Sequence, residues 1–419
     1  MKTGGKSLWL HVWHASMLIA AIAIIARYDV IEAGSSVRRQ PTLPELQAVL
    51  TGGVNAARED RPIPHYQGAV ESGNAATPAA AVSTTALPPA VKGYVDEINA
   101  LVAVDNTGTI RGVKIIADRE TPEYMRRVLD AGFLGRFIGK SVAGGQGTGK
   151  IDAVTGATIT AAAIRDDVSA AAAIAATRLY GLSAPAPVML SWATAFTSPA
   201  IILCLCALAL ALWARFGKWP RRGRREAAWI VSIIVIGVYA MTPYTLVHTC
   251  QLLKLNFPGP ANALLLVLAS YVLVTTLLAG PLWCAYSCPF GALEELLAKL
   301  PVKRWKVSPR VMTWAREMRY LTLFTAIAGV FGLGVHAFAD VEPFGHLFGR
   351  SHNPAAWAFI AAALFGAVFV KRFWCRFFCP TGACLIILSS HRRLLRSVGR
   401  GVDDAGIDRP DEERREQGE

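Results

Sequence analysis

Residues 100–118, ALVAVDNTGTIRGVKIIAD, decide the fold of the N-terminal half. Two runs rich in valine and isoleucine flank Asp105-Asn106-Thr107-Gly108, whose side chains favour a tight turn, so the stretch is expected to form a β-hairpin. Downstream, residues 121–139, TPEYMRRVLDAGFLGRFIG, read as helical with Pro122 near the start. SVAGGQGTGK (141–150) reads as a glycine-rich loop and ITAAAIRDDVSAAAAIAATRLY (159–180) as an alanine-rich helix. Together these predict a compact α+β domain over residues 93–182. Upstream, residues 29–92 are rich in Ala, Pro, Gly, Ser and Thr and are expected to be a flexible linker without chemistry, apart from a short helix around LPELQAVL.

The rest of the chain is apolar. Hydrophobic residues make up 53% of the 419 and charged residues 17%, which excludes an ordinary soluble protein and points to several membrane spans. LWLHVWHASMLIAAIAIIA (8–26), after Lys2 and Lys6, is expected to be a signal peptide or signal anchor within residues 1–28. His11 and His14 in it read as polar residues near a membrane edge rather than haem ligands. Five further apolar runs lie at about 195–214, 228–247, 262–281, 319–338 and 355–371, each near the length needed to span a bilayer. The formal net charge of +13 is not that of a nucleic-acid binder, because the basic residues cluster between those runs. RFGKWPRRGRR (215–225), the segment 299–319 and the segment after Lys371 are basic, whereas 249–261 holds only Lys254 and 339–354 only Arg350. The positive-inside rule then puts the basic loops and the tail (393–419) in the cytoplasm and residues 30–192 outside. The expected architecture is an α+β extracytoplasmic domain followed by an all-α polytopic membrane domain over 195–392.

Asp152-Ala-Val-Thr155-Gly156-Ala157-Thr158 is the most specific local signal. Gly156 and Ala157 would let backbone approach a bulky phosphate, and Thr158 stands where loop turns into helix, an end that favours phosphate. The plain alternative is that Thr155 or Thr158 caps the helix. The segment resembles D-x-x-(S/T)-G-A-T, recognised by periplasmic flavin transferases that join FMN to a threonine hydroxyl. That resemblance implies covalent FMN on Thr158, with Asp152, Thr155, Gly156 and Ala157 forming the acceptor loop. Residues 93–180, with Gly93-Tyr94, the turn at Gly108 and Glu120-Thr121-Pro122, resemble the FMN-binding domain of the NosR/NirI family, which adds Glu120 and Thr121 to the cofactor-binding set.

The second signal is a repeat. Trp283-Cys284-Ala-Tyr-Ser-Cys288-Pro289-Phe-Gly291-Ala292 and Trp374-Cys375-Arg-Phe-Phe-Cys379-Pro380-Thr-Gly382-Ala383 share W-C-x-x-x-C-P-x-G-A, each after an apolar run. Cysteines four apart lie on one helix face, and proline forces a turn after them. Two pairs could present four thiolates, enough for one iron–sulfur cluster, although another metal, a redox thiol pair and plain apolar packing stay open at this point. The presumed soluble domain has no cysteine, which argues against a disulfide framework. Cys204, Cys206, Cys250 and Cys384 carry no motif, and His336, His346 and His352 are expected to be ordinary loop histidines.

The order of parts is similar to the NosR/NirI family over nearly the whole chain, in a short form lacking the C-terminal ferredoxin domain, because no C-x-x-C-x-x-C precedes either pair. The resemblance implies electron transfer between the quinol pool or cytoplasm and a periplasmic respiratory reductase in denitrification, in an inner membrane, with a flavin transferase and membrane lipid as further partners. The other readings are a redox sensor regulating respiratory gene expression and a metal-handling assembly factor. Across a bilayer of about 30 Å, cysteines at the cytoplasmic face and a periplasmic flavin would need an intermediate carrier.

Overall fold

The computed structural model describes residues 4–27, 37–72, 75–88, 91–120, 122–145, 151–154, 157–185, 191–217, 221–349 and 353–390. After the apolar helix α1 (Gly4–Ala26) come α2 (Leu43–Val49), β1 (Val54–Glu59), β2 (His65–Ser72), β3 (Ala75–Ser83), β4 (Asn99–Asp105), β5 (Ile110–Ala117), α3 (Pro122–Asp130) and α4 (Thr158–Tyr180). The five strands form an antiparallel meander in the order β1-β2-β3-β4-β5.

β4 is buried along its whole length because both faces of the sheet are covered. Successive side chains of a strand point to opposite faces. Ala100, Val102 and Val104 therefore pack with Ala161, Ile164, Val168, Ala172 and Ala175 of α4, while Leu101 and Ala103 pack with Leu46, Val49 and Leu50 at α2. The alanines of α4 let a helix lie close on the sheet. The β4–β5 turn is tied by Asp105, whose Oδ1 accepts from the N–H of Thr107 and of Thr109, each at 2.9 Å.

Residues 29–92 are not a bare linker. They supply α2 and three of the five strands, with Ala79, Ala80, Ala81 and Val82 buried. The composition hid these strands because alanine has little strand preference; here pairing with β4 and cover from helices decide the conformation.

The second half is largely helical: α5 (Pro199–Phe216), α6 (Arg221–Ser232), α7 (Leu246–Leu253), α8 (Ala263–Ala279), α9 (Pro289–Leu297), α10 (Pro309–Ile327), α11 (Pro343–Phe348), α12 (Pro354–Phe369), α13 (Phe373–Phe377) and α14 (Pro380–Ser389). Among the described residues α5, with mean hydropathy 2.1, is the one helix long and apolar enough to cross a membrane; Ala15–Ala26, α8 and α12 are shorter apolar helices. The runs expected at 228–247 and 319–338 are not single spans. α6 continues as a π-helix over Ile233–Tyr239, and residues 240–245 then leave the helix, with Met241 at φ 52° just before Pro243. α10 likewise passes into a π-helix at Ala328–Gly332 and ends at the glycines 332 and 334. Proline lacks the N–H that a continuing helix needs, and glycine favours non-helical backbone.

Both breaks are followed by a segment that folds back into the helical domain. Pro243-Tyr244 and Pro343-Phe344 lead these segments, and both rings join one apolar cluster with Trp283, Phe290 and Trp374. The repeat seen in the cysteine motifs thus extends to a second pair of elements.

Candidate cofactor sites and their junction

Thr158 is the first residue of α4, and its N-cap is Ala157, which is buried and gives no side-chain cap. The capping alternative for Thr158 therefore does not hold. Ala157 gives the first-turn N–H groups no side-chain acceptor, which suits a phosphate group at this end. Thr121, Thr155 and Gly156, and the side chain of Thr158, lie outside the described residues. Asp152 is exposed, and its carbonyl accepts from Arg136 at 3.1 Å.

Glu120 is the organising side chain of this region. It is 3% exposed, and its carboxylate accepts from the backbone N–H of Val95 at 2.7 Å, of Tyr94 at 3.1 Å and of Asp96 at 3.4 Å. The hydroxyl of Thr160, in the first turn of α4, donates to the same carboxylate at 2.5 Å. Burial pushes the Glu120 carboxyl up, and these four donors oppose that. A Cβ on residue 93 would stand 2.5 Å from Glu120 Oε1, so only glycine fits there.

The outer side of the same segment is gripped by the helical domain. Asn262 Nδ2 donates to Gly93 O, Gln251 Nε2 to Tyr94 O at 3.1 Å and to Val95 O at 2.8 Å, and Asn256 Nδ2 to Val95 O at 3.1 Å. Lys92 Nζ reaches Asn256 Oδ1 and Phe257 O, and Arg127 donates to Gly349 O. Residues 93–96 are thus held through their N–H groups by Glu120 and through their carbonyls by three amide side chains. None of Gln251, Asn256 or Asn262 carried a motif.

The two cysteine pairs meet inside the helical domain. A Cβ on Gly291 would lie 3.6 Å from Cys375 Sγ and 3.7 Å from Cys288 Cβ, so the first loop packs directly on the second pair. Cys284 lies within a π-turn (Trp283–Ser287) and Cys288 directly after it, while Cys375 lies within α13 and Cys379 two residues past its end. Burial pushes all four thiols up; the charge of Cys284 further raises Cys288 and Cys379, and that of Cys288 raises Cys375. Four mutually opposed, desolvated thiols gain from a metal that replaces their protons. Among the described residues no three His, Cys, Asp or Glu side chains converge as they would on a single ion.

Residues without a motif complete this surround. Glu294 accepts from Trp374 N at 2.7 Å and Cys375 N at 3.2 Å, fixing the start of α13. Glu342, 1% exposed, accepts from Leu246 N at 2.8 Å, Thr381 N at 3.1 Å and Cys379 Sγ at 3.7 Å. Gly382 N donates to Cys379 Sγ at 3.2 Å. Arg372, at φ 57°, donates to Cys284 O at 3.1 Å and pairs with Glu295 at 2.8 Å. Among the described residues Trp374 Nε1 is a buried donor with no partner, as fits a side chain beside an acceptor-rich sulfide cluster. Cys204 and Cys250 are buried, Cys206 is exposed and Cys384 half-buried; all eight cysteines are free. His346 contacts Asp340 O at 3.2 Å; His352 and the side chains of His11, His14 and His336 lie outside the described residues.

Glu342 belongs to the 339–354 segment, which the charge pattern puts outside, yet it touches Cys379.

Comparison with known proteins agrees with both sites. Residues 93–173 match the family model for an FMN-binding domain, and residues 261–308 and 353–397 match a 4Fe-4S binding domain. The second match corrects the expectation of a short form without a ferredoxin-type module: the 4Fe-4S binding domain is matched in two segments, each with one cysteine pair. The chain is 28% identical to the regulatory protein NosR of Pseudomonas aeruginosa over 211 residues, 45% of this chain and 29% of NosR. It is 35% identical to NirI of Paracoccus denitrificans over 115 residues, 25% of this chain and 17% of NirI. An uncharacterized protein of Methanocaldococcus jannaschii is 32% identical over 124 residues, 28% of this chain and 52% of that protein. The chain spans about half or less of the length of these relatives. It is a relative of NosR and NirI with an FMN-binding domain and a 4Fe-4S binding domain, and its cofactors are FMN and an iron–sulfur cluster.

Proposed function

We propose that the chain is a membrane-anchored electron-transfer flavoprotein that passes electrons between the quinol pool or cytoplasm and a periplasmic respiratory reductase. The observation that carries this reading is the junction at residues 93–96, where the FMN-binding domain is hydrogen-bonded to the helical domain that holds both cysteine pairs. The family resemblance supplies the setting, nitrous oxide and nitrite respiration, and the charge pattern of the loops supports a polytopic arrangement with the flavin domain outside.

FMN would supply electron uptake in pairs and release one at a time, and a 4Fe-4S cluster single-electron passage. The hydroxyl of Thr158 would take FMN as a phosphoester from FAD on a flavin transferase, with AMP as the leaving group, and the N-terminal end of α4 would favour that phosphate. Thr160 is not an equivalent acceptor, because its hydroxyl is 1% exposed and bound to Glu120. Cys284, Cys288, Cys375 and Cys379 hold the iron, and the N–H of Gly382 and the guanidinium of Arg372 favour negative charge there.

The likeness to NosR, a regulatory protein by name, favours a second reading, a redox-sensing regulator. A Thr158→Ala strain separates the two: normal partner expression with lost partner turnover supports electron transfer, and lost expression supports regulation. Peptide mass spectrometry tests the attachment itself. The FMN adduct is expected within residues 151–165, absent in Thr158→Ala and retained in Thr160→Ala; an adduct on Thr160, or none in the presence of a flavin transferase, overturns it.

A further inference from the structure

The junction that holds the two domains also carries a line of aromatic rings. Tyr94 lies in the gripped segment of the FMN-binding domain, and its ring centroid is 5.2 Å from that of His248 on α7. His248 is 5.6 Å from Tyr244, and Tyr244 is 6.2 Å from Trp283. Trp283 is bonded through the chain to Cys284. All four residues are buried, at 7%, 1%, 4% and 1% exposure.

We propose that Tyr94, His248, Tyr244 and Trp283 form a fixed electron path between the flavin-bearing domain and the cysteine-held centre. This rests on the electron-transfer reading above and specifies its route. The geometry at each link argues for a fixed path. Glu120 holds Tyr94 N and the first turn of α4 through one carboxylate. Gln251 holds Tyr94 O from the other domain. The imidazole of His248 is oriented by Thr245, whose N–H donates to Nδ1 at 2.9 Å, which leaves the ring neutral with its proton on Nε2. Tyr244 is brought to Trp283 by the break at Pro243, without which α6 would carry residue 244 along the helix.

Among the described residues the second repeat shows no such link. Trp374, the counterpart of Trp283, packs on Phe359 and Phe378 instead. The line therefore joins the flavin domain to the first cysteine pair specifically. Each electron given up on the flavin side is gained on the iron side, and no ring changes its oxidation state; protons released when the flavin is oxidised leave on the flavin side. The packed rings fill the gap between the two domains as one continuous medium for a single electron transfer.

The test uses full-length protein carrying both cofactors, with Tyr94→Leu, Tyr244→Leu, Tyr94→Phe and Tyr244→Phe, and Phe359→Leu as control. Flavin is reduced by a flash with a photoexcited deazaflavin, and cluster reduction is followed by loss of its visible absorbance. Both leucine variants are expected to slow this phase by more than an order of magnitude, while both phenylalanine variants and Phe359→Leu stay close to wild type. Two further readouts separate a path from a docking contact: the equilibrium reduction potentials of both centres, and hydrogen exchange of residues 92–96 in cofactor-free protein. Both are expected to be unchanged in the leucine variants. Wild-type rates in the leucine variants overturn the path. So do faster exchange at 92–96 together with slowed transfer, which would make the rings a docking contact. No cluster reduction in wild type would overturn the electron-transfer reading itself, and the path with it.

Discussion

Replacing Glu120 by alanine would remove the one side chain that ties the acceptor helix to the domain junction. The carboxylate receives two short bonds, from Val95 N at 2.7 Å and Thr160 Oγ1 at 2.5 Å, and two longer ones, from Tyr94 N and Asp96 N. A hydrogen bond to a charged group contributes about 1.5–3 kcal/mol net, so the two short bonds alone would give about 3–6 kcal/mol. Desolvation of the carboxyl, which burial pushes up, offsets part of that, and about 3 kcal/mol is a reasonable net loss. That is a large share of a typical domain stability of about 5–15 kcal/mol, and it would lower the melting temperature by roughly 10 °C. Glu120→Gln keeps the shape and one acceptor oxygen, and about half that loss is expected. The assay is thermal unfolding of the detergent-solubilised protein, with hydrogen exchange at residues 93–96 to locate the effect. A Glu120→Ala protein melting within about 2 °C of wild type would refute the reasoning, because buried donors cannot lose such an acceptor without cost.

Asp167 gives a pH-dependent counterpart. Burial, then Glu97 and Asp166, pushes its carboxyl up to about 8, against a bond from Val91 N at 3.2 Å. Its contribution to stability is full below the unfolded carboxylate pKa of about 4 and is lost as pH rises through the folded value. The melting temperature of the FMN-binding domain should therefore fall between pH 5 and pH 8, and Asp167→Asn should flatten that fall; an unchanged slope in Asp167→Asn would count against it. Serine at any one of Cys284, Cys288, Cys375 or Cys379 should remove the same iron signal from anaerobically purified protein, whereas Cys204→Ser and Cys206→Ser should retain it. Four independent, partial losses would mean separate thiol roles.

Much of the flavin half was legible in the sequence. The two β-rich runs along 100–117, the turn at Asp105 and the alanine-rich helix were readable because strand preference and turn chemistry act locally. Strands β1 to β3 were not, because Ala-rich segments such as Ala75–Ser83 become strands only through their neighbours. The cysteine pairs were visible as a repeat, but the inference that a ferredoxin-type module was missing failed, since a 4Fe-4S binding domain is matched at both pairs. The breaks at Pro243 and at the glycines 332 and 334 sat inside runs whose hydropathy alone suggested unbroken spans. Glu294, Glu342, Gln251 and Asn262 had no local signal; each is a single polar residue whose partner lies far away in sequence. An acidic residue in an apolar half, as at Glu294 and Glu342, was the one clue available, because a buried carboxylate needs a partner.

The central claim is that one chain holds both a covalent flavin and a 4Fe-4S cluster. It is tested most directly by quantifying FMN and iron on one sample of full-length protein, purified without oxygen after co-expression with a flavin transferase. The expected result is one FMN that stays on the polypeptide through denaturation and four iron atoms per chain, with the visible absorbance of a cluster that bleaches on reduction. Flavin released by denaturation together with a chain free of iron would contradict it.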